Sequence, residues 1–178
     1  MFFTLRTAFE RTLTAFVALL LAALAIIILW GVLYRKLGMS LVWYDEVASI
    51  MLAWLTYYGA ALAALKRSHI GFAGLVNAMP PNWRVAVVLL AEALVIGFFA
   101  VLAWYGYQVL VILEGDTMVS LPGVPTAFTQ SVIPIGAVLF ILAQLFSLPE
   151  LLAQARGAGV VDAEKQELEK ELAKVMPK

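Results

Sequence analysis

Chemistry needs groups that bind, attack or carry protons, and this sequence holds few of them in useful patterns. It has no cysteine and a single histidine, His69. That removes disulfides, thiolate metal sites, thiol nucleophiles and any multi-histidine metal centre. The chain contains no glycine-rich phosphate loop and no serine nucleophile elbow, and His69 has no credible acidic partner and nucleophile for a triad. No catalytic, cofactor-binding or metal-binding residue is assigned, and the chain reads as non-enzymatic. Three groupings deserve weighing instead: Glu92, the pair Asp45-Glu46, and the run Lys66-Arg67-Ser68-His69.

Glu92 lies in a strongly apolar segment. In a helix starting near Arg84 it sits about 12 Å along the axis. A carboxylate at such depth is expensive and faces protein or water. It reads either as a proton or cation carrier or as a glutamate gripping a neighbouring helix. A lone carboxylate is a thin basis for an ion path, so the packing reading is preferred. Asp45 and Glu46 open a helix, where negative charge meets the positive end of the helix dipole; a partner contact there stays open. Lys66, Arg67 and His69 leave that helix and suit anionic lipid headgroups, with His69 able to titrate near neutrality.

The elements that carry these groups follow from composition. The 178 residues are 63% hydrophobic and 13% charged, with twelve Lys+Arg against twelve Asp+Glu. Mean hydropathy is +0.94. An ordinary soluble domain is about 45–50% apolar and about 25% charged. A neutral chain this oily excludes a soluble enzyme, a nucleic-acid binder and a disordered tail. Thr12–Tyr34 runs 23 residues without a charge, Val47–Leu65 runs 19, Ala93–Leu113 runs 21 and Thr117–Pro149 runs 33. The first would span about 34 Å as a helix, against about 30 Å of hydrocarbon. The last is too long for one span, and Pro122, Gly123 and Pro125 break its start. The reading is an all-α polytopic membrane protein with transmembrane helices at about 12–34, 44–65, 84–113 and 126–152. Lipid demands helices here, because the backbone must satisfy its own hydrogen bonds. The first helix is expected to be an uncleaved span, since its apolar run continues past the signal-like Ala23-Leu24-Ala25.

Cations set the expected orientation. Arg6, Arg11, Lys66, Arg67, Arg84 and Arg156 fall on one side, Arg35 and Lys36 on the other, which predicts both termini in the cytoplasm. Trp30, Tyr34, Trp43, Tyr44 and Trp83 lie where aromatic belts belong. Trp54, Tyr57, Trp104, Tyr105 and Tyr107 are expected to face protein or headgroups, where their polar atoms find partners. Gly59/Ala63 and Ala60/Ala64 are small-xxx-small pairs, a close-packing surface within the chain or between subunits. Residues 1–156 form the membrane domain. Residues 157–178 form a charged cytoplasmic tail, a short soluble helix or partly disordered, with the i,i+3 pairs Glu167–Lys170 and Glu171–Lys174.

Order and spacing of motifs then carry a resemblance. Trp43-Tyr-Asp-Glu46-Val-Ala, Trp54, Gly59-Ala-Ala and Lys66-Arg67-Ser-His69-Ile70 are followed by Pro80-Pro81, Trp104-Tyr105-Gly106, Ser120-Leu-Pro122-Gly-Val-Pro125 and Ile133-Pro134-Ile135-Gly136. Over roughly residues 10–150 this resembles the small, DctQ-like membrane subunit of TRAP (tripartite ATP-independent periplasmic) transporters. The resemblance implies a scaffold in the bacterial inner membrane. Its partner would be a large membrane subunit that takes up an organic anion, a carboxylate or sugar acid, by a sodium-driven elevator mechanism, with a periplasmic binding protein delivering the substrate. Substrate and sodium would then bind the large subunit, and this chain would need no cofactor. Trp43, Glu46, Trp54, Gly59, Arg67, His69 and Glu92 become candidate scaffold, subunit or lipid contacts. The rival readings are a stand-alone four-helix transporter or channel and an unrelated membrane assembly protein.

Overall fold

A computed structural model describes residues 2–66, 73–157, 159 and 172. Among the described residues six helices follow one another: α1 (Phe2–Lys36), α2 (Tyr44–Lys66), α3 (Ala73–Asn77), α4 (Pro81–Ile112), α5 (Thr126–Gln130) and α6 (Val132–Arg156). Among the described residues four helical stretches are long and apolar enough to cross a membrane: α1, α2, α4, and α5 with α6.

The bounds depart from expectation in ways charge explains. The first helix was expected from residue 12, yet α1 begins at Phe2. Charges limit what lipid accepts, not what a helix accepts. Arg6 is accommodated by an ion pair to Glu150 at 3.0 Å, and Phe9 packs on Phe146 with ring centroids 5.7 Å apart. The apolar face Phe9, Leu13, Phe16, Val17 and Leu20 therefore continues back into the charged segment. The α1 terminus uses Gly38 at φ 76°, the left-handed turn that glycine allows without Cβ strain. Arg35 and Lys36 complement the negative helix end. The third span starts at Pro81 rather than Arg84, because proline fits a first helical turn whose N–H groups have no partner.

The fourth span begins at Thr126 as read, but breaks at Ser131 and continues to Arg156, past the expected 152. Pro134 falls in the first turn of α6, where its missing N–H costs nothing. Pro149 sits inside α6 without ending it. The extra helix expected in 157–178 lies outside the described residues, apart from residue 157 and isolated positions.

Packing is mainly sequential, with α1 also reaching α6 through Arg6–Glu150 and Phe9–Phe146. Helix α1 lies against α2, α2 against α6, and α6 against α4, so the order across the molecule is α1, α2, α6, α4. The arrangement is an open row with broad apolar faces, joined by one core cluster that α1, α2 and α6 share and on which Val95 and Phe99 of α4 pack. A third of the most apolar window of the fourth span is buried, against 6% for the third. The row's centre is the α2–α6 seam. Ala61, Ala137 and Ala143 are wholly buried, and Ala64 and Leu65 nearly so. Small side chains let backbones approach, which is how helices gain packing energy in lipid. Buried Ser147 donates its hydroxyl to the Ala143 carbonyl at 2.9 Å, with the Ala64 and Leu65 carbonyls of α2 at 3.4 and 3.3 Å. Phe99 of α4 stacks on Phe140 of α6 with centroids 3.7 Å apart.

Candidate functional site

The residues singled out in the sequence do not converge on one cavity. They form fastenings along the row and open positions on its faces.

At the loop end of α2, Glu46 does more than face the helix dipole. Its carboxylate accepts the backbone N–H of Ser120 at 2.9 Å, that of Val119 at 3.4 Å, and the Ser120 hydroxyl. The loop that it holds is itself organised. Thr117 pairs with Pro125 across an isolated bridge, Met118 N–H donates to the Val124 carbonyl at 3.0 Å, and Thr126 N–H donates to the Asp116 carbonyl at 2.9 Å. Pro122-Gly123 forms the tip, and Met118 is buried beneath. Glu46 thus ties the start of the second span to the link between the third and fourth. Sequence reading missed this partner, because Ser120 is 74 residues away. Glu46→Gln is expected to speed hydrogen–deuterium exchange at the Val119 and Ser120 amides while α6 core amides stay protected. Unchanged exchange at both amides would contradict the fastening.

About two helical turns deeper along α2, Trp54 donates its indole N–H to the Thr129 carbonyl at 2.9 Å. Its ring lies 5.4 Å from that of Phe128 and 6.2 Å from that of Tyr58. The indole therefore seats α5 on α2 and satisfies a carbonyl near the Ser131 break. Tyr57 packs as closely: a Cβ at Gly136 would stand 2.8 Å from Tyr57 Cβ. Gly106 of α4 meets Ile133 and Pro134 in the same way, a Cβ there falling 2.9 Å from Ile133 Cγ2.

At the opposite end stands Arg84, one of the cations counted towards the cytoplasmic side. It is buried. Its guanidinium donates to the carbonyls of Asn77 at 3.1 Å, Met79 at 3.3 Å and Gly157 at 3.3 Å. It thereby fixes α3 and the end of α6 to the start of α4. A cation in the first turn opposes the helix dipole. That misfit was the available sign that Arg84 serves something outside its own helix.

Glu92 shares a face with Arg84, Val88, Val95 and Phe99, at three- and four-residue steps. Since Phe99 stacks on α6, Glu92 is half-buried on the α4 face turned to α6, not on a lipid face. Of the two small-residue pairs, Ala60/Ala64 puts Ala64 in the internal seam, whereas at Gly59 a Cβ would meet nothing within 4 Å. The internal seam uses Ala61 and Ala64, and the Gly59 face is open. Trp43 is exposed just ahead of α2, its carbonyl accepting the Val47 N–H at 3.1 Å. Trp104, Tyr105 and Tyr107 are each at least 60% exposed, so their rings point away from the chain rather than into it. Arg67 and His69 lie outside the described residues. Among the described residues no group of three or more His, Asp or Glu side chains could hold a metal ion.

The sequence pattern of the DctQ component of the tripartite ATP-independent periplasmic transporters matches residues 24–154, which includes all of α2, α3, α4 and α5, most of α6 and the last third of α1. The chain belongs to the DctQ family. It is also similar to the sialic acid TRAP transporter small permease protein SiaQ of Vibrio cholerae serotype O1, at 25% identity over 153 residues, covering 83% of this chain and 88% of that protein. As a DctQ component the chain is a multi-pass, non-enzymatic permease subunit, and membership implies the other components of a tripartite system. The fastenings described above, Glu46, Trp54, Arg84 and the glycine contacts at 106 and 136, all lie within the matched residues.

Proposed function

We propose that this DctQ chain is a fixed brace in the bacterial inner membrane for the large membrane subunit of a TRAP transporter. That partner moves an organic anion, a carboxylate or sugar acid, by sodium-driven transport, and a periplasmic binding protein delivers the substrate. The substrate and sodium sites belong to the partner, and this subunit carries no cofactor. Both termini face the cytoplasm, following the six cations against two. The SiaQ name assigns sialic acid to the Vibrio system; at 25% identity a sugar acid is one member of the proposed class.

The row of helices α1, α2, α6 and α4 is the observation that carries the reading. A moving transport domain needs a frame that resists tilting. A row fastened at both ends and along its centre widens such a frame while offering long apolar faces for docking. The Gly59 face is the proposed approach for a partner helix, since a small residue with nothing against it permits close contact. Trp43, Arg67 and His69 are proposed as contacts with the partner or lipid, and Glu92 as an internal packing group.

The chain's lack of cysteine makes the test clean. A cysteine placed at Gly59 is expected to crosslink to one fixed region of the large subunit, equally with and without sodium and substrate. A crosslink that follows the transport domain between states would overturn the brace.

A further inference from the structure

A groove of about 370 Å³ opens between α1 and α2 towards their connecting loop. Its walls are Ile28 and Val32 on one side and Ala48 and Leu52 on the other, with Asp45 and Ser49 at the loop end. The α1 wall follows a strict four-residue step, Leu24, Ile28, Val32, and the next step is Lys36. From Leu24 to Val32, the stretch of α1 that lines the groove, the helix rises about 12 Å. One leaflet of a hydrocarbon core about 30 Å thick is about 15 Å deep. The groove therefore runs most of the depth of a single leaflet, oily inside and with Asp45 and Ser49 at the mouth.

Asp45 lines the mouth from α2, and Lys36 ends α1 one helical turn beyond Val32; both are exposed. Ser49 already donates its hydroxyl hydrogen to the Asp45 carbonyl at 2.8 Å, which leaves its oxygen lone pairs to accept. We infer that this groove binds one zwitterionic aminophospholipid, of the phosphatidylethanolamine class, from the leaflet on the α1–α2 loop side. One acyl chain lies along Ile28, Val32, Ala48 and Leu52. The ammonium group donates to Asp45 and to the Ser49 hydroxyl oxygen, and the phosphate meets Lys36. Phosphatidylglycerol offers the phosphate but brings no cation to Asp45. Phosphatidylcholine brings a cation without N–H donors. Both should bind less well. None of Glu46, Trp54 and Arg84 lines the groove, and the site stands independently of the role proposed for the subunit.

Native mass spectrometry of the full chain in mild detergent, with equal amounts of dioleoyl phosphatidylethanolamine, phosphatidylcholine and phosphatidylglycerol, tests it. The expected result is one retained lipid, phosphatidylethanolamine ahead of both others. Asp45→Asn should cut its advantage over phosphatidylcholine by about threefold, the scale of one exposed ion pair. Ala48→Trp, which fills the groove, should abolish retention, whereas Ala53→Trp, at an exposed position off the groove, should not. Equal binding of the three lipids, or retention surviving Ala48→Trp, would overturn the proposal. So would loss of the lipid when the chain is isolated in complex with its large subunit, because a protein segment would then fill the groove.

Discussion

Replacing Arg84 with alanine is expected to destabilise the isolated subunit by about 3 kcal/mol or more, since it leaves carbonyls of Asn77, Met79 and Gly157 without their donor. Hydrogen bonds from a charged group are worth about 1.5–3 kcal/mol each and do not add simply when they share one donor group. For a chain of this size the loss corresponds to a drop in midpoint of roughly 6–12 °C in detergent. The damage should be local first: α3 and the end of α6 come away from the start of α4, so proteolysis near Gly157 accelerates before global unfolding. Arg84→Lys keeps the charge but not the planar fork, and should fall between wild type and alanine. A midpoint for Arg84→Ala within about 1 °C of wild type would show that the buried guanidinium contributes nothing net.

Gly136→Leu should be nearly as damaging, for the opposite reason. A side chain there meets Tyr57 at its Cβ, 2.8 Å from where the new carbon would stand. Tyr57 Cβ is bonded to the α2 backbone and has no rotamer to escape through. The helices must separate, at about 1–3 kcal/mol for overpacking. Lipid offers no hydrophobic compensation for the opened seam. Separation also pulls Trp54 from the Thr129 carbonyl, so a red-shifted or weakened tryptophan signal should accompany the lower midpoint. Gly59→Leu supplies the contrast. Nothing lies within 4 Å of it, so the isolated subunit should hold its stability to within about 0.5 kcal/mol. The same change should weaken co-purification with the large subunit. If Gly59→Leu destabilised the isolated chain as much as Gly136→Leu, the distinction between inner seam and outer face would fail.

These contrasts mark what the sequence could and could not tell. The spans were legible because lipid penalises charge, and the uncharged runs report that penalty directly. The tie between Glu46 and Ser120 was not, since nothing local records a contact 74 residues apart. A carboxylate at a helix start already had a sufficient explanation in the dipole, which hid its second use. Arg84 misled similarly, as a cation near a membrane edge fits the orientation rule without needing to be buried. Alanine is too abundant for its spacing to choose a face, so Gly59 and Ala61 could be distinguished only once α6 was in place against α2. The helix order in the row was also beyond reach: runs of similar apolar character carry no address for their neighbours. By contrast, the motifs from Trp43-Tyr-Asp-Glu46 to Ile133-Pro134-Ile135-Gly136, taken together in their order and spacing, pointed to the family, because order and spacing survive where composition is uniform.

Reconstitution into vesicles tests the central claim most directly. Three preparations are compared under an inward sodium gradient with radiolabelled organic acids, sialic acid among them, and the cognate binding protein: this subunit alone, the large subunit alone, and both together. The account predicts solute uptake only when both membrane subunits are present. Uptake by this chain alone would contradict it, placing the transport path within a subunit described here as a brace.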